Sequence, residues 1–260
     1  MTYSYLKIGG TDEVRQITLA RSEIRNAFNA ELIRQITAAL REMADDRRIR
    51  VLVLAAEGKV FCAGADFHWM AGQKDATMEQ NLDDAGKLFD MFQAMYDFPC
   101  PTIARVQGGA YGGGAGLMAC ADFVIMSDDA VSSFSEVRIG LVPATISPFV
   151  IRKIGLSHAR EVFLTGMMIS AQKALDIKLA NAVVPVAELD KTVDEQVAAL
   201  LRCGPEAQRA TKRLIEDVAH LPIHETRDET ARVIAAQRIS DEGQEGMSAF
   251  LEKRKPNWNR

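Results

Sequence analysis

The sequence predicts an α/β protein in which sheets and helices form layers, and three observations carry that reading. Short apolar runs rich in β-branched residues recur through the first half, at residues 14–19, 49–56, 102–106 and 123–126. Segments with helical spacing of apolar residues lie between them. From Ser157 onward the pattern turns to helix after helix. Strands alternating with helices argue against an all-helical or all-β chain.

Each element has a local reason. Residues 14–19 alternate in polarity as a half-buried strand does, whereas residues 49–56 (IRVLVLAA) are apolar throughout, as in a strand covered on both faces. Between them Leu32, Ile36, Ala39, Leu40 and Met43 recur at helical spacing, with Asn29 as the expected N-cap. Residues 102–106 predict a buried strand, then comes a glycine cluster, then a small-residue helix over about 113–121 and a strand over 123–126. Ser157 and Ser170 are the expected caps of later helices, and a short strand is expected over 182–185. Helices fill 193–251, broken near Gly204-Pro205 and Leu221-Pro222. In the terminal segment 241–253, Met247, Phe250 and Leu251 stand among charges, which predicts packing against a surface. Residues 1–195 are expected to form the core with the binding site, and 196–260 a helical region for oligomerisation.

Composition narrows the function. The 260 residues are 48% hydrophobic and 25% charged, enough for a sizeable core. A net charge of -4 makes nucleic acid a poor partner, while a phosphorylated small molecule needs only a few local cations and amides. Met1-Thr2-Tyr3-Ser4-Tyr5 has no secretion-signal pattern, and no window is apolar enough for a membrane span. Cys62, Cys100, Cys120 and Cys203 form no Cys-x-x-Cys pair, so a cytoplasmic, metal-free protein is expected.

Two glycine-containing turns follow buried strands: Phe61-Cys62-Ala63-Gly64-Ala65-Asp66, and the run 108–116 (GGAYGGGAG). Glycine lets a ligand approach backbone amides closely, and free amides at a helix start attract negative charge. Two such turns facing one cavity could hold an oxyanion. The same glycines could instead serve packing alone. A dinucleotide site is a further alternative, but counting from Gly112 the third glycine of Gly-x-Gly-x-x-Gly is replaced by Leu117. No Gly-x-Ser-x-Gly is present, and His68, His158, His220 and His224 lack an evident nucleophile partner. Glu136 stands in a mostly apolar run, a setting that raises a carboxyl's pKa toward the range useful for proton transfer. The alternative is a salt bridge to Arg138.

Taken together, Ala63-Gly64-Ala65-Asp66, Ala110-Tyr111-Gly112-Gly113-Gly114 with Ala121-Asp122, and Phe134-x-Glu136 resemble the signature stretches of the crotonase (enoyl-CoA hydratase/isomerase) family. Arg25-Asn26-Ala27-Phe28-Asn29 is similar to that family's first loop, and residues 245–254 to its C-terminal helix. The resemblance implies a spiral of strand–strand–helix units, C-terminal helices that make a homotrimer or a dimer of trimers, and an acyl-CoA substrate with no separate cofactor. It places the amides of Ala65 and Gly113 on a thioester oxygen. It assigns Arg25, Ala27, Lys59, Ala63 and Asp66 to the coenzyme A region, and Phe250 and Lys253 to the nucleotide part.

One departure stands out. Where the hydratases of the family carry a second glutamate, this chain has Gly116. A single carboxylate suits a 1,3-proton shift, and so an isomerase. The stretch 135–150 and the run Ala65-Asp66-Phe67-His68-Trp69-Met70 instead resemble the hydratase branch that acts on methylglutaconyl-CoA and isohexenylglutaconyl-CoA. The expectation is therefore a hydratase with Glu136 as acid/base. Gly116 is expected to enlarge a pocket for a branch or a second carboxylate, lined also by His68, Trp69, Met70 and Pro143, with Arg138 and His68 as candidate partners of a substrate carboxylate.

Overall fold

A computed structural model describes residues 3–72 and 74–259. Its elements run β1 (Leu6–Gly10), β2 (Val14–Leu19), α1 (Ala30–Ala44), β3 (Val51–Ala56), α2 (Phe67–Gly72), α3 (Met78–Tyr96), β4 (Thr102–Val106), β5 (Gly109–Tyr111) and α4 (Gly113–Ala119). They continue as β6 (Phe123–Ser127), β7 (Val131–Ser133), α5 (Ser147–Thr165), β8 (Ile169–Ser170), α6 (Ala171–Asp176), β9 (Ala182–Val184), α7 (Leu189–Leu201), α8 (Pro205–Ala219), α9 (Arg227–Ile239) and α10 (Asp241–Leu251). A 3-10 turn, Glu136–Ile139, stands between β7 and α5.

Two sheets take alternate strands. The larger has the order β1-β2-β3-β4-β6-β9, antiparallel at β1/β2 and parallel elsewhere. The smaller has the order β5-β7-β8 and is extended by a parallel bridge from Cys62 to Ala110. Each pass therefore lays one strand in the large sheet and the next in the small one, then exits into a helix: β4–β5–α4, then β6–β7–α5. That is the strand–strand–helix spiral expected above. All six residues of β3 are buried, as the unbroken apolar run predicts. Leu32, Ile36 and Leu40 of α1, and Met91, Phe92 and Met95 of α3, are also buried. Each such side chain contributes roughly 1.5–3 kcal/mol relative to exposure.

Local chemistry explains the ends. The Asn29 side chain accepts from Leu32 N–H at 2.8 Å and starts α1, and Ser170 accepts from Lys173 N–H at 3.2 Å and starts α6. Two expectations need correction. Ser157 is not a cap: α5 begins at Ser147 and is kinked at Gly155 (φ 75°, ψ 164°), so its second helical stretch starts just after Gly155, two residues before Ser157. The β3 strand starts at Val51 rather than Ile49, because Ile49 N–H turns back to Asp46 O.

The chain divides into two compact units, Met1–Phe98 with Thr102–Val193, and Pro99–Pro101 with Asp194–Arg260. In the second, Glu242 accepts from Glu206 N–H at 2.9 Å and Ala207 N–H at 2.7 Å, holding α10 to the start of α8. Arg254 grips both oxygens of Glu245 at 2.6 and 2.8 Å. No helix among the described residues is long and apolar enough to cross a membrane.

Candidate active site

Three segments of the first unit meet at the start of α4. The bridge pairs the first glycine turn with the second: Cys62 N–H donates to Gly109 O at 3.1 Å, and Tyr111 N–H donates to Cys62 O at 2.9 Å. Three residues beyond each bridged position the chain reaches Ala65 and Gly113. Gly64 must be glycine. Its φ is +85°, and a Cβ there would stand 2.7 Å from Tyr111 O. The turns thus touch backbone to backbone.

Phe28 ties the pair from behind. Its N–H donates to Gly64 O at 2.7 Å, and its carbonyl accepts from Asp66 N–H at 2.8 Å. This bridge engages the residues on either side of Ala65 and turns the Ala65 N–H away from Phe28. The Phe28 ring lies 3.0 Å from where a Cβ on Gly113 would stand. Gly113 is the first residue of α4, so its N–H has no acceptor within the helix. Among the described residues, neither the Ala65 nor the Gly113 N–H donates to a protein acceptor.

The third segment brings the acid. Glu136 opens the 3-10 turn, and its Oε1 lies 3.1 Å from the place a Cβ on Gly112 would occupy. Its Oε2 is buried and finds no hydrogen-bond partner. Burial raises the carboxyl's pKa above the ordinary range, against a smaller lowering by its own backbone amide. The salt-bridge alternative is excluded: Arg138 is exposed and lies along Gly166, its Nε 3.2 Å from a Cβ placed there.

The remaining residues predicted for the site divide by what holds them. Ala63 N–H donates to Arg25 O at 2.9 Å, which seats the first loop on the glycine turn. Arg25 and Lys59 have exposed side chains, and Ala27 is buried with its carbonyl accepting from Arg21 Nη1 at 3.0 Å. The Asp66 carboxylate is committed. It pairs with Arg21 at 3.1 Å and accepts from His68 N–H at 2.9 Å and Trp69 N–H at 3.4 Å, capping α2. Burial opposes its ionisation, but these bonds outweigh burial and lower its pKa. His68 is exposed, while Trp69, Met70 and Pro143 are half-buried. Trp69 lines a groove of about 640 Å³ with Ile33, Thr37 and Arg41 of α1 and Asp84 and Lys87 of α3. Phe250 is exposed, and Lys253 adopts a left-handed φ of 56° just after α10.

Gly116 corrects the expectation of an enlarged pocket. It is buried, and a Cβ there would overlap Ile146 Cγ2 and stand 2.8 Å from Ile146 Cβ. The room left by the missing side chain is filled by Ile146, the cap residue of α5. Two residues of the site had no assigned role in the sequence reading. One is Ile146. The other is Asn26, wholly buried, which receives Arg21 N–H at 2.9 Å and donates to Glu57 O at 2.9 Å and Val60 O at 3.0 Å. The φ of 54° at Asn26 is a conformation asparagine tolerates better than most residues, the signal that could have marked it.

Uncommitted amides on two fused turns, beside a half-buried acid on a strand–strand–helix spiral, define an enzyme-like site for an anionic oxygen. Comparison with known proteins agrees. The family model "Enoyl-CoA hydratase/isomerase" matches residues 9–260. The crystal structure of an enoyl-CoA hydratase from Shewanella pealeana superposes with a TM-score of 0.93 at 38% identity, covering 98% of this chain and 96% of that one. The human mitochondrial enoyl-CoA hydratase domain-containing protein 3 is 31% identical over 262 residues, 95% of this chain and 81% of its own length. The trans-2-decenoyl-[acyl-carrier-protein] isomerase of Streptococcus mutans is 28% identical over 247 residues, 94% of each chain. The chain belongs to the enoyl-CoA hydratase/isomerase family, the crotonases.

Proposed function

We propose that the protein is an enoyl-CoA hydratase that adds water across the 2,3 double bond of a branched, carboxylated acyl-CoA, of the 3-methylglutaconyl-CoA or isohexenylglutaconyl-CoA type. The reaction runs through a thioester enolate. The observation that carries this chemistry is the half-buried Glu136 carboxyl, whose Oε2 is buried without a partner, beside a turn whose Gly113 N–H, with that of Ala65, is uncommitted. Water attack at the β-carbon pushes electrons onto the thioester oxygen, where the two amides receive the charge. Losing one such donor typically costs roughly 3–4 kcal/mol. Glu136 takes the proton from water and returns one to the α-carbon, tasks for which a raised pKa suits it.

Coenzyme A enters as part of the substrate, so no separate cofactor is invoked. Arg25 and Lys59 offer exposed cations to its phosphates, and Ala27, Ala63 and Asp66 shape the loop that carries them. With its carboxylate tied to Arg21 and its N–H given to Phe28 O, Asp66 serves by fixing the shape of that loop. Phe250 and Lys253 serve the nucleotide part in a homotrimer or dimer of trimers. The branched, carboxylated substrate rests on the likeness of residues 135–150 to that hydratase branch, since Gly116 adds no room. His68 and Arg138, both exposed, are the cations offered to a substrate carboxylate.

A second reading, double-bond isomerisation, is favoured by the apolar Ile146 standing where a second acid would be placed, and by the Streptococcus mutans isomerase relative. Incubation with 3-methylglutaconyl-CoA, isohexenylglutaconyl-CoA and a 3-enoyl-CoA separates the two. The expected product is a hydrated thioester; a double-bond shift alone overturns hydration. Glu136→Gln is expected to cut turnover by about 10²–10⁴-fold while coenzyme A affinity stays unchanged, and retained turnover would remove Glu136 from the mechanism.

A further inference from the structure

The Glu136 carboxyl and the Ile146 side chain meet the same helix at neighbouring places. Glu136 lies over Gly112 and Ile146 over Gly116. Gly116 N–H donates to Gly112 O at 3.0 Å, the first hydrogen bond of α4, so Gly112, the non-helical cap, and Gly116 stand one turn apart at the helix start. Ile146 is the N-cap of α5, the helix that packs on both α4 and the 3-10 turn that bears Glu136. It is almost wholly buried. Its γ-methyl occupies the volume that any side chain at Gly116 would claim.

We infer that Ile146 is a positioning residue for Glu136: seated against Gly116 one helical turn below the carboxyl, it walls that side of the acid with hydrocarbon and shuts out both water and a second polar group. The inference rests on the reading of Glu136 as the acid/base. Among the described residues the charged groups near by are committed elsewhere. The first turn of α4 is glycine and alanine, and Arg138 on Glu136's own turn lies against Gly166. Asp66 is bound to Arg21, and Lys153 of α5 bonds the carbonyls of Ala121 and Asp122. The Tyr111 ring packs on Gly109, and the Cys62 thiol donates to Asn26 O. Burial is the main cause raising the Glu136 pKa, and Ile146 is an apolar side chain placed to supply it.

The geometry also makes Gly116 and Ile146 a coupled pair. A polar side chain at Gly116 has no room while Ile146 is present; shortening Ile146 to alanine removes the 2.2 Å overlap with Cγ2 and leaves the 2.8 Å approach to Cβ, which a small shift of the segment must relieve.

The test compares Ile146→Val, Ile146→Ala, Gly116→Ser and the double variant Gly116→Ser/Ile146→Ala. The readouts are the pH–rate profile for the thioester substrate, exchange of the acyl α-proton with D2O, and thermal melting to confirm folding. Ile146→Ala is expected to move the acidic limb of the profile toward lower pH by about half a unit or more, with Ile146→Val intermediate. Gly116→Ser alone is expected to lose activity about tenfold or more, and the added Ile146→Ala to recover part of that loss by removing the Cγ2 overlap. An unmoved limb in folded Ile146→Ala, or a double variant no better than Gly116→Ser, overturns the inference. Glu136→Gln in the same assays tests the underlying reading separately. If it retains α-proton exchange, the acid/base assignment fails, whatever Ile146 does.

Discussion

Glu136 is held where its charge opposes folding. The residue is half-buried, its Oε2 is buried and unsatisfied, and burial raises its pKa. A folded-state value above the unfolded one means the fold binds the proton more tightly. The associated stability is therefore full below the unfolded value and is lost as pH rises through the raised folded value. Replacing the acid by its neutral isostere removes that loss. Glu136→Gln is expected to melt above the parent at pH 8, with the advantage shrinking toward pH 4; an equal difference at both would show that the carboxyl is not strained by burial. Asn26 is the converse case. It is buried with three hydrogen bonds, one closing residues 21–26 and two joining them to the loop after β3. Asn26→Ala leaves those backbone groups unpaired and should cost about 1–3 kcal/mol in urea unfolding.

At the scale of elements, the fusion of the two glycine turns depends on backbone contact. Gly64→Ala forces a left-handed alanine, a strain of roughly 1–2 kcal/mol, and drives its methyl toward Tyr111 O, 2.7 Å away. The variant is expected to lose both stability and turnover, read by urea unfolding and by thioester turnover at saturating substrate. The sequence makes β2 and β4 plain because sheet burial on one or both faces writes itself as period-2 or unbroken apolar runs. It hides α3, a 19-residue helix whose wholly buried side chains are only Met91, Phe92 and Met95, all in its last turns. The one local sign of α3 is the Thr77–Gln80 capping box at its start. Strands β5, β7 and β8 are two or three residues long, too short for any period. The site divides in the same way. Glycine turns and a carboxylate in an apolar run are local signals, so Ala65, Gly113 and Glu136 are legible. Ile146 is thirty residues from Gly116 along the chain, and only the approach of α5 to α4 puts it there.

For the whole molecule, a ligand that binds only the folded chain raises its melting temperature by mass action, by about 2.7 kcal/mol of stability at a concentration one hundred times Kd. Coenzyme A is expected to give such a shift and NAD none; the reverse result would revive the dinucleotide reading of the glycine run. The four cysteines supply a second global reporter. Cys203 is exposed, whereas Cys62, Cys100 and Cys120 are buried. Burial pushes the Cys62 thiol up to about 12, and its Sγ donates to Asn26 O at 3.1 Å at the seam between the two glycine turns. Because the thiolate is the reactive form, an alkylating reagent should modify Cys203 promptly and Cys62 only when the seam parts. Mass-resolved alkylation at Cys62 therefore times the breathing of the catalytic cradle in the untouched native chain, and a bound thioester should slow that clock without altering the one at Cys203.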